Sequence, residues 1–174
     1  MAGMSRRARR LALTAHIVSS VGWLGSVVAF LGLATVAATT QDQRTLQAVY
    51  VVAEPIVWFV VVPFASASLL TGLVSALGSA WGLFRHYWVI FKLLLNLLAT
   101  TLLLLYTPTV GYLADVAAGQ TGDFAALRSP TFLLHAGGAL LVLLVATVLA
   151  VYKPRGMTAY GRRRSAPAAA RSRR

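Results

Sequence analysis

Four long stretches of the chain contain no Asp, Glu, Lys or Arg. They are 31, 30, 22 and 24 residues long. A helix needs about 20 predominantly apolar residues to cross the hydrocarbon core of a bilayer, so each stretch is long enough to do so. The sequence therefore predicts an all-α fold, a bundle of four transmembrane helices. These helices are expected at about 12–37, 52–79, 87–107 and 131–152.

The composition agrees with a membrane protein. Hydrophobic residues make up 58% of the chain and charged residues 11%, whereas soluble domains are nearly half apolar and about a quarter charged. The absence of cysteine from the sequence excludes disulfides, thiolate nucleophiles and cysteine metal ligands. Pro55 and Pro63 lie within the second predicted helix, which is therefore expected to be tilted or kinked near its first third.

The basic residues predict the orientation of the bundle. The N-terminal segment 1–10 contains four Arg, the link between the second and third helices contains Arg85, and the tail 153–174 contains eight Lys and Arg. The loops at the other side contain only Arg44 and Arg128. Because basic flanks are retained on the cytoplasmic side, both termini are predicted to be cytoplasmic.

The same bias accounts for the net charge of +12. The tail ends in "GRRRSAPAAARSRR", a low-complexity stretch without aromatic residues among its basic ones. We expect the tail to be largely disordered and to contact anionic lipids of the cytoplasmic leaflet. Nucleic-acid binding is not expected.

The first helix has two distinct faces. At 100° per residue, His16 and Trp23 lie on one side, while Gly22, Gly25 and Gly32 lie roughly opposite. Small residues let helices approach closely, so the glycine face predicts a packing contact. An ionisable side chain inside a membrane helix is a functional-site hypothesis, which makes His16 the first candidate residue.

The third helix concentrates its polar residues on one stripe, formed by Arg85, Trp88, Lys92 and Asn96. Lys92 is close enough to the cytoplasmic end for its stem to reach the headgroups. Asn96 lies one turn deeper, and its amide needs partners inside the bundle. The stripe is therefore predicted to face protein rather than lipid.

Depth divides the ionisable residues into two groups. His16 shares the inner leaflet with Arg85, His86 and Lys92, whereas His135 belongs to the outer leaflet with Glu54. The helix rise puts a vertical gap of ~15–20 Å between His16 and His135. A single haem is therefore not expected to be ligated by both histidines.

Two motifs resemble those of a known group of bacterial membrane proteins. The first helix contains the pattern H-x6-W-L-G, and the third opens with the aromatic and basic "RHYWVIFKLLL". This arrangement is similar to the CopD-like and HemJ-like families of small four-helix integral membrane proteins, and the resemblance implies a location in a bacterial plasma membrane.

The resemblance implies a haem b or porphyrin site in the inner leaflet. HemJ-like proteins suggest His16 as the haem iron ligand, with Trp23 from the same motif and Lys92 as the basic residue of the third helix. The candidate site is completed by Arg85, His86 and Asn96. CopD-like proteins suggest copper instead, but this sequence has no Met or Cys within the predicted helices to hold Cu(I).

Three classes of function remain open at this point. The first is a non-enzymatic membrane component that packs against a membrane-protein partner or against itself. The second is haem or porphyrin binding at His16. The third is transport of protons, metals or small solutes, with Glu54 and His135 on one side and His16, His86 and Lys92 on the other. Soluble catalytic arrangements are not recognisable in the sequence, which favours a protein that is not an enzyme.

Overall fold

The computed structural model describes residues 4–78 and 82–165. Four of its helices are long and apolar enough to cross a membrane. We number them in chain order: α1 is Arg6–Thr39, α2 is Gln43–Gly78, α3 is Tyr87–Ala117 and α4 is Thr131–Tyr152. A short 3-10 helix, Phe124–Arg128, precedes α4, and a helix of one to two turns, α5 at Ala159–Ser165, follows it.

The four long helices form a closed ring. Each packs against the next one in the chain, and the last packs against the first. α1 contacts α2 and α4, and α3 contacts the same two helices, so α1 and α3 face each other across the bundle. The chain ascends and descends in turn, which brings residues 4–10, 82–87 and 153–165 to one end. We call this the basic end and the other the opposite end.

α2 begins at Gln43, earlier than the expected start at 52. The reason is a helix cap at Asp42, whose carboxylate accepts hydrogen bonds from the Thr45 hydroxyl at 2.6 Å and the Thr45 amide at 2.9 Å. These bonds, with a weaker one from the Arg44 amide, hold the pKa of Asp42 below its usual value. The expected end of this helix at 79 lies outside the described residues.

The two prolines of α2 flank a π-helical turn, Val57–Val61. A proline removes one backbone donor from a helix, and the helix must rearrange around the loss. Here the Val62 amide donates to the carbonyl of Val57, five residues back rather than four. The irregularity predicted from Pro55 and Pro63 therefore takes the form of a π turn between them.

α3 continues past Pro108 to Ala117, so the expected end at 107 is corrected. Pro108 lacks the amide that would bond to the carbonyl of Leu104. The Thr107 hydroxyl donates to that carbonyl at 2.8 Å and satisfies it. Such side-chain substitution is how membrane helices tolerate an internal proline.

The tightest packing lies in the opposite half of the bundle. Trp23, Tyr50 and Phe132 are among its largest fully buried side chains. The ring of Phe132 lies 4.7 Å from that of Phe30 and 4.9 Å from that of Tyr50, while the Tyr50 hydroxyl donates to the carbonyl of Leu127 at 2.8 Å. Because this core thins out towards the basic end, space remains there between the helices.

Part of the C-terminal tail packs against the basic end. The Thr158 hydroxyl donates to the carbonyl of Phe84 at 2.6 Å, and the Thr158 amide donates to that of Arg85 at 3.0 Å. The tail 153–174, which the sequence predicts to be largely disordered, thus contacts the basic end at Thr158, and the short helix α5 follows this contact. Residues 166–174 lie outside the described part.

The glycine face of α1 makes its predicted contact at one position. A Cβ atom added at Gly22 would lie 2.5 Å from the ring of Phe64 on α2. At Gly25 and Gly32 an added Cβ would have open space around it within the described structure. The stripe therefore supports one internal contact rather than a continuous packing face.

Most of the apolar surface of the helices is not covered by protein. No more than 33% of any of the four apolar windows is buried within the described bundle. Large side chains such as Phe59, Leu105 and Val151 are 81%, 71% and 69% exposed. This amount of exposed apolar surface is expected of a protein surrounded by lipid, and it agrees with a multi-pass membrane protein.

Candidate functional site

The space at the basic end is a cavity of about 570 Å³ between all four helices. This volume falls within the range of about 300–1,000 Å³ that is usual for small-molecule sites. Its walls combine two kinds of side chain. The apolar ones include Leu13, Leu69 and Leu93, and the polar ones are Arg9, His16, Ser68, Ser75, Trp88, Lys92, Asn96 and Lys153. We call it the basic-end cavity.

His16 lies in the wall of this cavity and is held by α2. Its Nδ1 lies 3.1 Å from the carbonyl oxygen of Ser68 and 3.3 Å from the hydroxyl of Thr71. A carbonyl only accepts hydrogen bonds, so Nδ1 carries the proton and Nε2 carries a lone pair. The contact with the backbone of α2 therefore fixes both the ring orientation and the tautomer of His16.

A second set of contacts locks α1 and α2 together around the ring. The hydroxyls of Ser20 and Ser68 are 2.8 Å apart, and those of Ser19 and Thr71 are 3.2 Å apart. The absence of a side chain at Gly72 leaves room for the imidazole, because an added Cβ would lie 2.9 Å from its Cε1 atom. The sequence feature that admits His16 is therefore a glycine on the neighbouring helix.

Lys92 reaches His16 from the far side of the bundle. Its Nζ donates to Nε2 of His16 at 3.2 Å, which joins α3 to α1 across the diagonal. Asn96, one turn further along α3, donates from Nδ2 to the carbonyl of Lys92 at 3.0 Å and also lines the cavity. The polar stripe of α3 thus faces protein, as its sequence pattern predicts.

The charges around the cavity are of one sign. Arg9, Lys92 and Lys153 line it, and the hydrogen-bond partner of the Lys92 ammonium is an uncharged imidazole nitrogen. The sequence contains four acidic residues, Asp42, Glu54, Asp115 and Asp123, and all of them lie in the opposite half of the bundle. Within the described residues, none of these acidic side chains lines the cavity.

One further polar atom in the wall lacks a partner. The hydroxyl oxygen of Ser75 is buried, and it makes no hydrogen bond within the described part of the chain. Ser75 lies one turn from Thr71 on α2 and lines the same cavity. A buried hydroxyl without a partner loses free energy that a polar ligand group can restore.

Three of the six predicted site residues lie in the cavity wall, and three lie elsewhere. His16, Lys92 and Asn96 line it. Trp23 is 2% exposed and belongs to the apolar core, about two turns further along α1. Arg85 and His86 belong to the basic-end link, where His86 pairs with Met157 of the C-terminal segment.

Sequence reasoning missed Arg9, Ser75 and Lys153. Arg9 and Lys153 stand among many basic residues in the flanks, where topology alone accounts for a positive charge. Ser75 resembles the other hydroxyls of α2, which bond to their own helix carbonyls. The one available signal is Gly72 on α2. A glycine there leaves room for a large side chain of a neighbouring helix, and the structure places the His16 ring against it.

The ionisable residues of the opposite half do not belong to this site. His135 lines a separate apolar groove, and Glu54 approaches α3 beside Gly111. Within the described residues there is also no cluster of three or more His, Cys, Asp or Glu that could hold a metal ion.

The fold and the cavity together define a multi-pass, all-helical membrane protein with a positively charged pocket between its helices at one end. No family model matches this chain, and neither a curated protein nor a solved structure matches it.

Proposed function

We propose that this protein is a non-enzymatic component of the bacterial plasma membrane that binds an anionic amphiphile in the basic-end cavity. Both termini, and hence the cavity, are placed on the cytoplasmic side. This orientation is supported by the basic residues that surround the cavity end, since such flanks are retained in the cytoplasm.

The observation that carries the proposal is the Lys92 ammonium in the cavity wall, which has a neutral hydrogen-bond partner. The ammonium of Lys92 is half-buried and contacts His16, with Arg9 and Lys153 at the rim and every acid in the opposite half. Bringing a charge away from water is costly unless it is paired. A carboxylate or phosphate in the cavity would pair with Lys92 and accept a hydrogen bond from Ser75.

The apolar side chains of the cavity wall indicate that the ligand also has an apolar part. Leu13, Leu69 and Leu93 form apolar surface next to the cations. A ligand with an anionic group and an apolar body satisfies both surfaces, whereas a small inorganic anion would leave the apolar part empty. Binding pockets commonly combine a mostly apolar lining with a few placed polar groups.

Haem b is a specific candidate within this ligand class. The Nδ1 atom of His16 is committed to the carbonyl of Ser68, so Nε2 is the nitrogen that would bind the iron. Nε2 accepts a hydrogen bond from Lys92, and this lysine would have to turn from Nε2 to a haem carboxylate. The residues fit such a group, because Lys92, Arg9 and Lys153 would pair with its two carboxylates. Bound haem would supply a redox-active iron to the membrane.

The test is to purify the protein from its own membrane in a mild detergent, and to record its native mass spectrum and visible absorption spectrum. An anionic amphiphile is expected to remain bound at one copy per chain. A Soret band that is lost in His16→Ala but kept in Arg155→Leu would identify it as haem. Protein whose spectrum holds only detergent and randomly retained lipid would contradict the proposal.

A further inference from the structure

A second cavity lies in the opposite half of the bundle, on the side where α3 and α4 meet. It encloses about 250 Å³ and is lined by α1, the π turn of α2, α3 from Leu98 to Val110 and α4 from Leu134 to Val142. The helix rise makes this groove ~12–18 Å long. We call it the opposite-end groove.

The groove differs from the basic-end cavity in its chemistry. All of its lining residues are uncharged, and the polar ones are Tyr106, Thr107 and His135. The hydroxyl of Thr107 is already used, because it donates to the carbonyl of Leu104. An uncharged lining disfavours phospholipid headgroups and fatty-acid carboxylates, which would have to leave water without a counter-charge.

His135 is fixed at this groove with one nitrogen unused. Its Nδ1 lies 2.8 Å from the carbonyl oxygen of Thr131, which only accepts, so Nδ1 donates, and Nε2 of the neutral ring is an acceptor. The ring stacks on that of Tyr106, with centroids 3.7 Å apart and planes 9° apart. Tyr106 is held in turn by a hydrogen bond from its hydroxyl to Thr131 Oγ1 at 3.4 Å.

Two properties of the His135 ring point to a ligand. Nε2 has no hydrogen-bond partner within the described residues, and the side chain is exposed. Because the side chain is exposed, another flat ring can approach it and extend the stack with Tyr106. A group that binds here would have a hydroxyl to donate to Nε2 and a planar body beside the imidazole.

We propose that the opposite-end groove binds a quinol, with one phenolic hydroxyl donating to Nε2 of His135 and the apolar side chain lying along α3 and α4. The absence of charge in the lining favours a neutral lipid, and the unpartnered Nε2 favours one that carries a hydroxyl. The exposed imidazole, already stacked on Tyr106, favours an aromatic head over a glycerol. The π turn supports this assignment, because Val57 and Val61 line the groove and single π turns are frequent at functional sites. This site is independent of the basic-end cavity.

The experiment compares the binding of three neutral lipids to the protein in nanodiscs of phosphatidylcholine. Anaerobic, reducing conditions keep the hydroquinone reduced, and oxidising conditions keep the quinone oxidised. The probes are a decyl-substituted hydroquinone, the corresponding quinone and dioleoylglycerol. The hydroquinone is expected to bind saturably and about three- to tenfold more tightly than the quinone, because only the reduced form can donate to Nε2. His135→Phe keeps a stacking ring, and it should abolish this preference.

Two adjacent glycines supply a matched pair of variants. An added Cβ at Gly137 or Gly138 meets open space, but only Gly138 is part of the groove wall. Gly138→Leu is therefore expected to reduce hydroquinone binding at least tenfold, while Gly137→Leu leaves it unchanged. Equal binding of all three lipids, or binding that is insensitive to both His135→Phe and Gly138→Leu, would show that the groove holds only bulk lipid chains and would overturn the proposal.

Discussion

Replacing Lys92 with leucine is expected to weaken binding of dodecyl phosphate to the basic-end cavity by roughly 10- to 100-fold. The ammonium is half-buried among apolar walls and its hydrogen-bond partner is the neutral Nε2 of His16. Hydrogen bonds to charged groups contribute about 1.5–3 kcal/mol, which corresponds to that loss of affinity. The measurement is calorimetric titration of the protein in nanodiscs of uncharged lipid.

Arg155→Leu is the matched control for this prediction. It removes one positive charge from the same end of the bundle, but Arg155 is exposed and is not part of the cavity wall. Its affinity for dodecyl phosphate should stay within about twofold of the wild type, since exposed charges act weakly and through screened distances. An equal loss in both variants would mean that the probe binds to the charged surface rather than in the cavity.

Replacing Gly22 with leucine is expected to destabilise the bundle by about 1–3 kcal/mol. A Cβ at this position would lie 2.5 Å from the ring of Phe64, so either this ring or the two helices would have to shift. The contacts that hold His16 lie on the same interface, through Ser68 and Thr71. Thermal unfolding in detergent should therefore show a lower midpoint.

Gly25→Leu gives the comparison. The same side chain is added one turn along α1, at a position where an added Cβ meets open space. The unfolding midpoint should remain close to that of the wild type. A loss as large as that of Gly22→Leu would contradict the assignment of Gly25 to a free face, and would indicate instead that a second subunit or a partner protein covers it.

The four spans of the bundle were predictable because the bilayer imposes a length that charge-free stretches reveal directly. The helix ends were not, since they depend on local hydrogen bonds. Asp42 caps α2 well before its apolar stretch begins, and Thr107 replaces the backbone bond that Pro108 removes. Neither the cap at Asp42 nor the hydrogen bond from Thr107 is visible in the average hydropathy, so the hydropathy pattern does not predict these helix ends.

The candidate site was predictable in its depth and in the helices that form it. His16 and Lys92 were expected in the same leaflet, and the structure brings them within 3.2 Å. Trp23 was grouped with His16 because both lie on one side of α1, but a helix face does not fix depth, and Trp23 is buried in the apolar core. The contact between His16 and the carbonyl of Ser68 involves backbone, which side-chain patterns do not encode.

The most direct test of the central claim is the charge selectivity of the wild-type cavity. Dodecyl phosphate and dodecyltrimethylammonium have the same apolar chain and opposite charges. In uncharged nanodiscs, dodecyl phosphate should bind at one site per chain and at least tenfold more tightly than the cation, since charge-assisted pairing with Lys92 is worth about 1.5–3 kcal/mol. Equal affinities for the two probes, or no saturable binding of dodecyl phosphate, would contradict the account.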